Sequence, residues 1–422
     1  MSSQFVQKHP LAQKRIIVTG AGIAGLAFAR ALHLNWPREH PRPDVVLYER
    51  SAEVLDRAHE GYTMGIQRGS GLLALREIGL LDAALESRTT GSDGSQEPVT
   101  IWTKDWTELY KMPPAAPTKG DMPPRGVRLV RHALRQILLD GLPEETVVHW
   151  ENACEWVKTR EDGKVEIGLS DGSTDECDLL IAADGANSKV RECLLPDETL
   201  QFAGARLYSG TSKFPLGKPD ALKTSWGFNV SGEGYGFLTF PIDSTTGAWA
   251  LTHRSAEPKG RIRGDEAARR YDEIMGDVRR LGGMFDEPFA QVVEATDPVT
   301  LSVFDAMHRP PVRHARQLAG GANAILIGDA NHAMSPFSGS GANMALMDAV
   351  ALAGQLARCA DLRAAIDAFD AESAPRSQKA IDFSWWVIRG IHARGVVFWL
   401  VRAVCAVMSV FAGRTDARQT KE

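Results

Sequence analysis

The sequence predicts an α/β fold: a Rossmann-like dinucleotide-binding domain, an inserted antiparallel-sheet domain and C-terminal helices. Three observations lead there. Ile16-Ile17-Val18 is apolar on consecutive positions, as a strand buried on both faces of a parallel sheet requires. Gly20, Gly22 and Gly25 follow as G-x-G-x-x-G and open an Ala-rich helical run to Leu34. Two later buried runs, Leu179 to Ala183 and Ala324 to Ile327, deliver Asp184-Gly185 and Gly328-Asp329 at their tips.

Each glycine of the first motif has a mechanical reason. Gly20 permits the tight strand-to-helix turn, Gly22 lets a pyrophosphate approach the backbone, and Gly25 lets helix and strand pack closely. The N–H groups at the helix start then hold the phosphates. A second strand, Val45 to Tyr48, ends in Glu49, placed to accept hydrogen bonds from a ribose.

Composition narrows the class. A chain of 422 residues with 44% apolar and 24% charged residues suits a globular protein of two or three domains. A net charge of −5 without a basic cluster argues against a nucleic-acid partner. The five cysteines are scattered, with no C-x-x-C, and the eleven histidines form no ligand spacing, so neither disulfides nor a metal site is expected. The polar N-terminus lacks an apolar signal core, which makes a cytoplasmic location the expectation.

Along the chain, 61–66 reads as a strand and Ser70 to Leu81 as an amphipathic helix stopped near Gly79. A strand through Val99 to Trp102 precedes a long Pro-rich loop. Val130 to Leu139 is helical, and the runs around Cys154–Lys158 and Val165–Leu169 form a hairpin. Residues 200–305 alternate as an antiparallel sheet, interrupted by a helix over 264–281. Helices fill 342–359 and 361–394. The expected division is a discontinuous nucleotide-binding domain (12–56, 125–199, 319–375), a substrate domain (57–124, 200–318) and a C-terminal helical segment (376–422).

Val396 to Phe411 is apolar with Arg402 near its middle. A central arginine costs about 2.5–3.5 kcal/mol in a bilayer span, and the run is short, so a buried or interfacial helix is favoured over a membrane anchor through 395–412.

Together the motifs G-A-G-I-A-G with Glu49-Arg50, A-A-D-G-A-N-S-K-V-R (182–191) and I-G-D-A-N-H-A-M-S-P-F-S-G-S-G-A-N (327–343) carry a resemblance. Over roughly residues 14–375 the chain resembles the single-component, aromatic-hydroxylase-type FAD monooxygenases, most of all the tetracycline-inactivating and secondary-metabolite enzymes. The resemblance implies an FAD-binding domain beside a substrate domain, with NADPH or NADH and O2 consumed through a flavin C4a-hydroperoxide. The product would be a hydroxylated, epoxidised or Baeyer–Villiger-oxidised hydrophobic aromatic or polycyclic small molecule. Glu49 would bind the adenosine ribose, and Arg50 would lie beside the adenine half. Arg131 would contact FAD, and Asp184 and Gly185 would serve both FAD and the nicotinamide. Asp329 would hold the ribityl–pyrophosphate region, with Pro336, Gly339, Gly341 and Asn343 bordering the isoalloxazine. Arg57 matches an arginine implicated in NADPH use. Gly65 and Gln67 stand where the tetracycline-inactivating enzymes carry an aspartate and a histidine, so tetracycline is not the expected substrate.

No acid–base set stands out, and no catalytic side chain is assigned. The family often has a histidine at His332 without a general-base role, and His253-Arg254 reads as a solvated strand end. Of Tyr208, Trp226, Phe228, Tyr235 and Trp249, about two are expected to line a pocket and the others to be core. Two alternatives remain at this stage: an oxidase or reductase without oxygen transfer, and a non-catalytic FAD-fold binding protein.

Overall fold

The computed structural model describes residues 9–54, 63–89, 99–113, 122–223, 226–314 and 323–419, with side chains described as far as Val410. The elements that position the site are β1 (Arg15–Thr19), α1 (Ile23–Asn35), β2 (Asp44–Tyr48), α2 (Arg131–Asp140), β3 (Val147–His149), β4 (Leu179–Ala182), β5 (Ala324–Leu326), α3 (Gly341–Ala357), α4 (Leu362–Ile391) and α5 (Gly395–Gln419).

The five strands form one sheet in the order β5-β4-β1-β2-β3, parallel throughout. The three strands that end in motifs are therefore neighbours, and their tips share one edge. Pairing continues into the tips: Gly20 N–H donates to Tyr48 O at 2.7 Å, Ala183 N–H to Thr19 O at 2.8 Å, and Ile327 N–H to Ala182 O at 2.9 Å. Ile16, Ile17 and Val18 are fully buried, which explains their continuous apolar pattern. Helix α1 covers one face and packs on α3. Both are alanine-rich, so their axes approach closely around Ala24, Ala27, Ala345 and Ala349.

The second sheet has seven strands, in the order Ser302–His308, Gln201–Lys213, Thr246–Arg254, Tyr235–Pro241, Trp226–Val230, Val99–Thr103 and Glu108–Lys111. All its pairings are antiparallel except that of Trp226–Val230 with Val99–Thr103. Alternation gives it two faces. Helices Tyr271–Gly282 and Phe289–Glu294 cover one face, in a core with Tyr208, Phe237 and Trp249. The other face carries Phe228, Leu238, Phe240 and Ala250 and packs on Phe337 and Ile388.

Two expectations change and two become more specific. The loop after Val99–Trp102 contains a strand, Glu108–Lys111, that turns back through Trp106 at φ 58°. Thr103 Oγ1 accepts from Thr107 N–H at 3.1 Å and closes that turn, a polar signal that proline counting overlooks. The helix expected from Ser70 and stopped near Gly79 runs Gly71–Glu77, and after Gly79 at φ +68° a second short helix, Leu81–Glu86, follows. The helix over 264–281 is broken at Arg270, into Asp265–Arg269 and Tyr271–Gly282. Of the two alternatives for 396–411, a buried helix is excluded and an interfacial one stays open: only a narrow stripe of α5, including the buried Cys405, faces the protein. Among the described residues, no helix is long and apolar enough to cross a membrane.

A Cβ at Gly25 would lie 2.0 Å from Gly20 O and 3.1 Å from Val18 Cγ1. Gly25→Ala is therefore expected to force α1 off β1 and cost about 1–3 kcal/mol. Thermal unfolding measures this, and an unchanged midpoint would show that the strand–helix crossing can open freely.

Candidate functional site

At the first tip, Gly20 holds φ +101°, and a Cβ there would sit 2.4 Å from Ala183 O. Nothing lies within 4 Å of a Cβ built on Gly22, so the backbone is open to a ligand. Gly22 caps α1 without a side-chain hydrogen bond, leaving the first-turn N–H groups and the positive helix end available to an anion. The Glu49 carboxylate crosses the same turn. It accepts Ala21 N–H at 2.8 Å and Ser51 N–H at 2.9 Å, so two acceptor lone pairs have fixed partners and others remain. Arg50 is exposed just beyond.

At the second tip, Asp184 Oδ2 accepts Lys189 N–H at 2.8 Å and Val190 N–H at 3.3 Å, while Oδ1 is buried without a protein partner. Burial raises the Asp184 pKa, opposed by Ser188 and these backbone donors. Gly185 stands at φ +85° beside open space. Arg191, which ends this motif, is buried and donates through Nη1 to Ala330 O at 3.2 Å and to Asn331 O, tying the second tip to the third. Burial, and then neighbouring Arg309, pull its pKa down to about 9.

At the third tip, Asp329 is sunk among protein on most sides, yet its side chain opens to the cleft. Burial pushes its pKa up, with the charges of His332 and Arg131 opposing. A Cβ on Gly341 would lie 3.9 Å from Asp329 Oδ1, so the carboxylate faces the start of α3. Pro336 begins a single 3-10 turn, and Gly339 follows at φ +61° with nothing near its Cβ position. At Gly339 the run therefore presents backbone with no side chain to hold a flat ring away.

The Asn343 side chain is engaged within the protein. Fully buried, its Oδ1 accepts Gln67 N–H at 2.8 Å and Gly71 N–H at 3.2 Å, and its Nδ2 donates to Gly65 O at 2.8 Å. Its side chain is a staple between the third motif and the strand Thr63–Gln67. Arg131 opens α2, where its charge reaches Asp329. Arg57 lies outside the described residues.

Sequence reasoning missed three residues. Arg135, one turn after Arg131, donates to Ala21 O at 3.1 Å and Glu53 O at 3.0 Å, and so holds the first turn from behind. The signal was the R-x-x-x-R spacing on α2, which puts both guanidinium groups on one helix face. Asp348 is fully buried and accepts His332 Nε2 at 2.5 Å, Gly328 N–H at 3.0 Å, Ser373 Oγ at 2.7 Å and Arg376 Nη2 at 2.9 Å. A lone aspartate in an apolar helical run was its only mark. Arg128 is buried, binds Thr63 Oγ1 at 2.8 Å, and lies 5.1 Å from the ring centroids of both Trp226 and Phe240. It stands between the strand Thr63–Gln67 and the aromatic sheet face.

Of the five aromatics singled out, Trp226 and Phe228 share this cleft-side face, by strand alternation. Tyr208 and Trp249 lie in the core beneath the helices, with Tyr235 packed against it. Arg254 is exposed, and His253 is half-buried with Nδ1 2.8 Å from Arg254 O.

These residues fit a bound flavin dinucleotide. The cradle has open Cβ positions at Gly22, Gly185 and Gly339, an uncapped helix start, an unpartnered buried Asp184 oxygen and an outward Asp329.

The comparisons agree with that donor set. The FAD binding domain family matches residues 291–384. Monooxygenase cfoF of Aspergillus candidus is 35% identical over 399 residues, covering 92% of this chain and 94% of its own. The 2-heptyl-3-hydroxy-4(1H)-quinolone synthase of Pseudomonas aeruginosa is 27% identical, over 80% of this chain and 79% of its own. A variant of Klebsiella pneumoniae HpxO, solved in complex with FAD, superposes with a TM-score of 0.75 at 20% identity, covering 96% of this chain and 98% of its own.

Burial alone would raise the Asp348 pKa, but His332, Arg376 and Ser373 outweigh it and hold the carboxyl at about 2. For His332, burial lowers the pKa and Asp348 more than restores it, leaving it raised. The Asp348 contribution is thus complete above the ordinary carboxylate range near ~4 and lost as pH falls toward 2. The His332 contribution is complete below 6.5 and lost as pH climbs through its raised value. Asp348→Ala leaves the buried His332 without its acidic partner and Arg376 with Glu372 alone, and is expected to cost about 3–5 kcal/mol at neutral pH. Denaturant unfolding across pH tests this: the gap to the parent protein narrows in acid, and a gap independent of pH would contradict the ion-pair account.

Proposed function

This chain belongs to the FAD-dependent monooxygenases of the aromatic-hydroxylase type, and from that premise we propose that it uses NAD(P)H and O2 to oxygenate a hydrophobic aromatic or polycyclic small molecule of secondary metabolism. The observation that carries this reading is the juxtaposition of the three-motif cradle with an aromatic sheet face bearing Trp226, Phe228 and Phe240. When bound, FAD supplies the redox chemistry and the activation of O2.

The chain's own residues then bind, orient and exclude water. Gly20, Gly22 and Gly25 shape the turn under the pyrophosphate, and Glu49 and Arg50 take the adenosine half. Asp329 accepts from hydroxyls of the ribityl region, with Arg131 beside it. Pro336, Gly339 and Gly341 border the flavin ring through backbone, and the Asn343 side chain pins that loop in place. Asp184 and Gly185 stand by the nicotinamide path, and Arg57 is assigned to the nicotinamide dinucleotide's phosphate by resemblance alone. Trp226, Phe228 and Phe240 offer flat apolar contact to the substrate, and Arg128 adds a fixed positive edge that favours an electron-rich or acidic ring. A relative named for a hydroxylated quinolone supports a ring substrate of this kind.

Asp329→Ala removes a charged acceptor that makes no hydrogen bond within the described residues. It is expected to leave the fold intact and lose about 1.5–3 kcal/mol of FAD affinity, roughly a 10- to 100-fold weaker Kd. Flavin titration of the purified variant measures this, and unchanged affinity would remove Asp329 from the site. For the reaction, turnover of candidate polyketide or alkaloid rings with NADPH under labelled dioxygen should give a product carrying one labelled oxygen. A product lacking two hydrogens and carrying no label would instead establish an oxidase.

A further inference from the structure

We propose that α5 lies in the plane of an anionic membrane surface and docks the enzyme there. The helix touches the protein through one stripe. Cys405 is buried, Phe398 and Arg402 are half-buried, and Ser409 Oγ donates to Leu109 O at 3.3 Å on the edge strand Glu108–Lys111 of the second sheet. Everything around that stripe is apolar and exposed: Val396 is 76% accessible, Trp399 64%, Leu400 60%, Val404 58% and Val407 56%. A helix apolar around its whole circumference is stable only when covered.

Charge selects what covers it. Between Asp382 and Asp416 the chain has no acidic residue, while it carries Arg389, Arg394, Arg402 and Arg414, in a protein of net charge −5. Arg389 and Arg394 are exposed. The Arg402 guanidinium lies 5.0 Å from the Trp399 ring centroid and 5.8 Å from that of Phe398, a basic head on an aromatic body as at a headgroup boundary. The acids nearby are Glu233, in the turn whose backbone bridges to Arg394 and whose carboxylate pairs with Lys104 at 2.7 Å, and the exposed Glu108 on the edge strand. A second copy of this chain would bring only the same acid-free, positively charged segment to the contact, whereas anionic headgroups neutralise the exposed Arg389 and Arg394 while acyl chains take the valines and Trp399. Since no described helix can span a bilayer, the contact is in-plane.

The test is sedimentation of the full-length, FAD-loaded protein with phosphatidylcholine vesicles, with and without phosphatidylglycerol. Binding to the anionic vesicles only, weakened by salt, supports the proposal. The double variant V404E/V407E, altered at exposed positions, should keep its flavin and thermal midpoint yet bind roughly tenfold or more weakly. Binding to neither vesicle, or equally to both, overturns it. So does a dimer in light scattering that the same double variant splits in the absence of lipid.

Discussion

The rest of the cofactor end depends on one buried carboxylate. Asp348 gathers the backbone of Gly328, the ring of His332, the hydroxyl of Ser373 and the guanidinium of Arg376 around two oxygens. These come from the turn after β5, from α3's own preceding loop and from α4, elements that sequence separates by up to 48 residues, from Gly328 to Arg376. An uncompensated charge at this depth would cost several kcal/mol, so the donors arrive together or the helix does not seat. The same constraint fixes where Asp329 points, because it follows Gly328 directly and Gly328 cannot move.

Other buried side chains repeat this arrangement. Arg135 grips the carbonyl of Ala21 from behind the glycine turn, Arg191 grips those of Ala330 and Asn331, and Asn343 bridges to Gly65, Gln67 and Gly71. In each case the charged or amide group contacts the rear of a loop, and the front is left to backbone N–H groups and Asp329. Loops that must present unsatisfied donors to a ligand cannot stabilise themselves. Their rigidity is supplied by these staples, which makes the site preorganised rather than assembled by the ligand.

What the sequence made legible were the features governed by local rules. The parallel strands read from Ile16-Ile17-Val18 and Leu179 to Ile181 because burial on both faces leaves a continuous apolar run. Gly20 and Gly25 read correctly because their reasons are contacts within a few residues or with the adjoining strand. The side-chain partners of Asn343 were not legible, since a motif places a residue at a loop but does not say whether its side chain reaches a strand 278 residues away. Asp348 and Arg128 escaped for the same reason, because their partners lie far off in sequence. The split of the aromatics, with Trp226 and Phe228 on one face and Tyr208 and Trp249 on the other, needed strand parity and the knowledge of which face the helices cover.

That two-faced sheet explains how one layer can serve both stability and recognition. On its covered face, Phe237 meets Phe289 at 4.9 Å and Trp249 at 6.2 Å between ring centroids, and Trp249 Nε1 donates to Thr296 Oγ1 at 3.0 Å. This is a closed core in which the Trp249 indole N–H has its partner. On the cleft-side face, Trp226 and Phe240 stay half-buried, with their rings 5.7 Å apart and Arg128 over both. An arginine there is costly unless held, and Thr63 holds it with its hydroxyl and its carbonyl. The helix-covered face can therefore carry the folding free energy, while on the proposed reading substitutions at Trp226 and Phe240 would alter the contact offered to a substrate ring without dismantling that core. Because Thr63 and Gly65 lie on the strand that Asn343 staples to the third motif, Arg128 and the aromatic face beside it are registered to that motif.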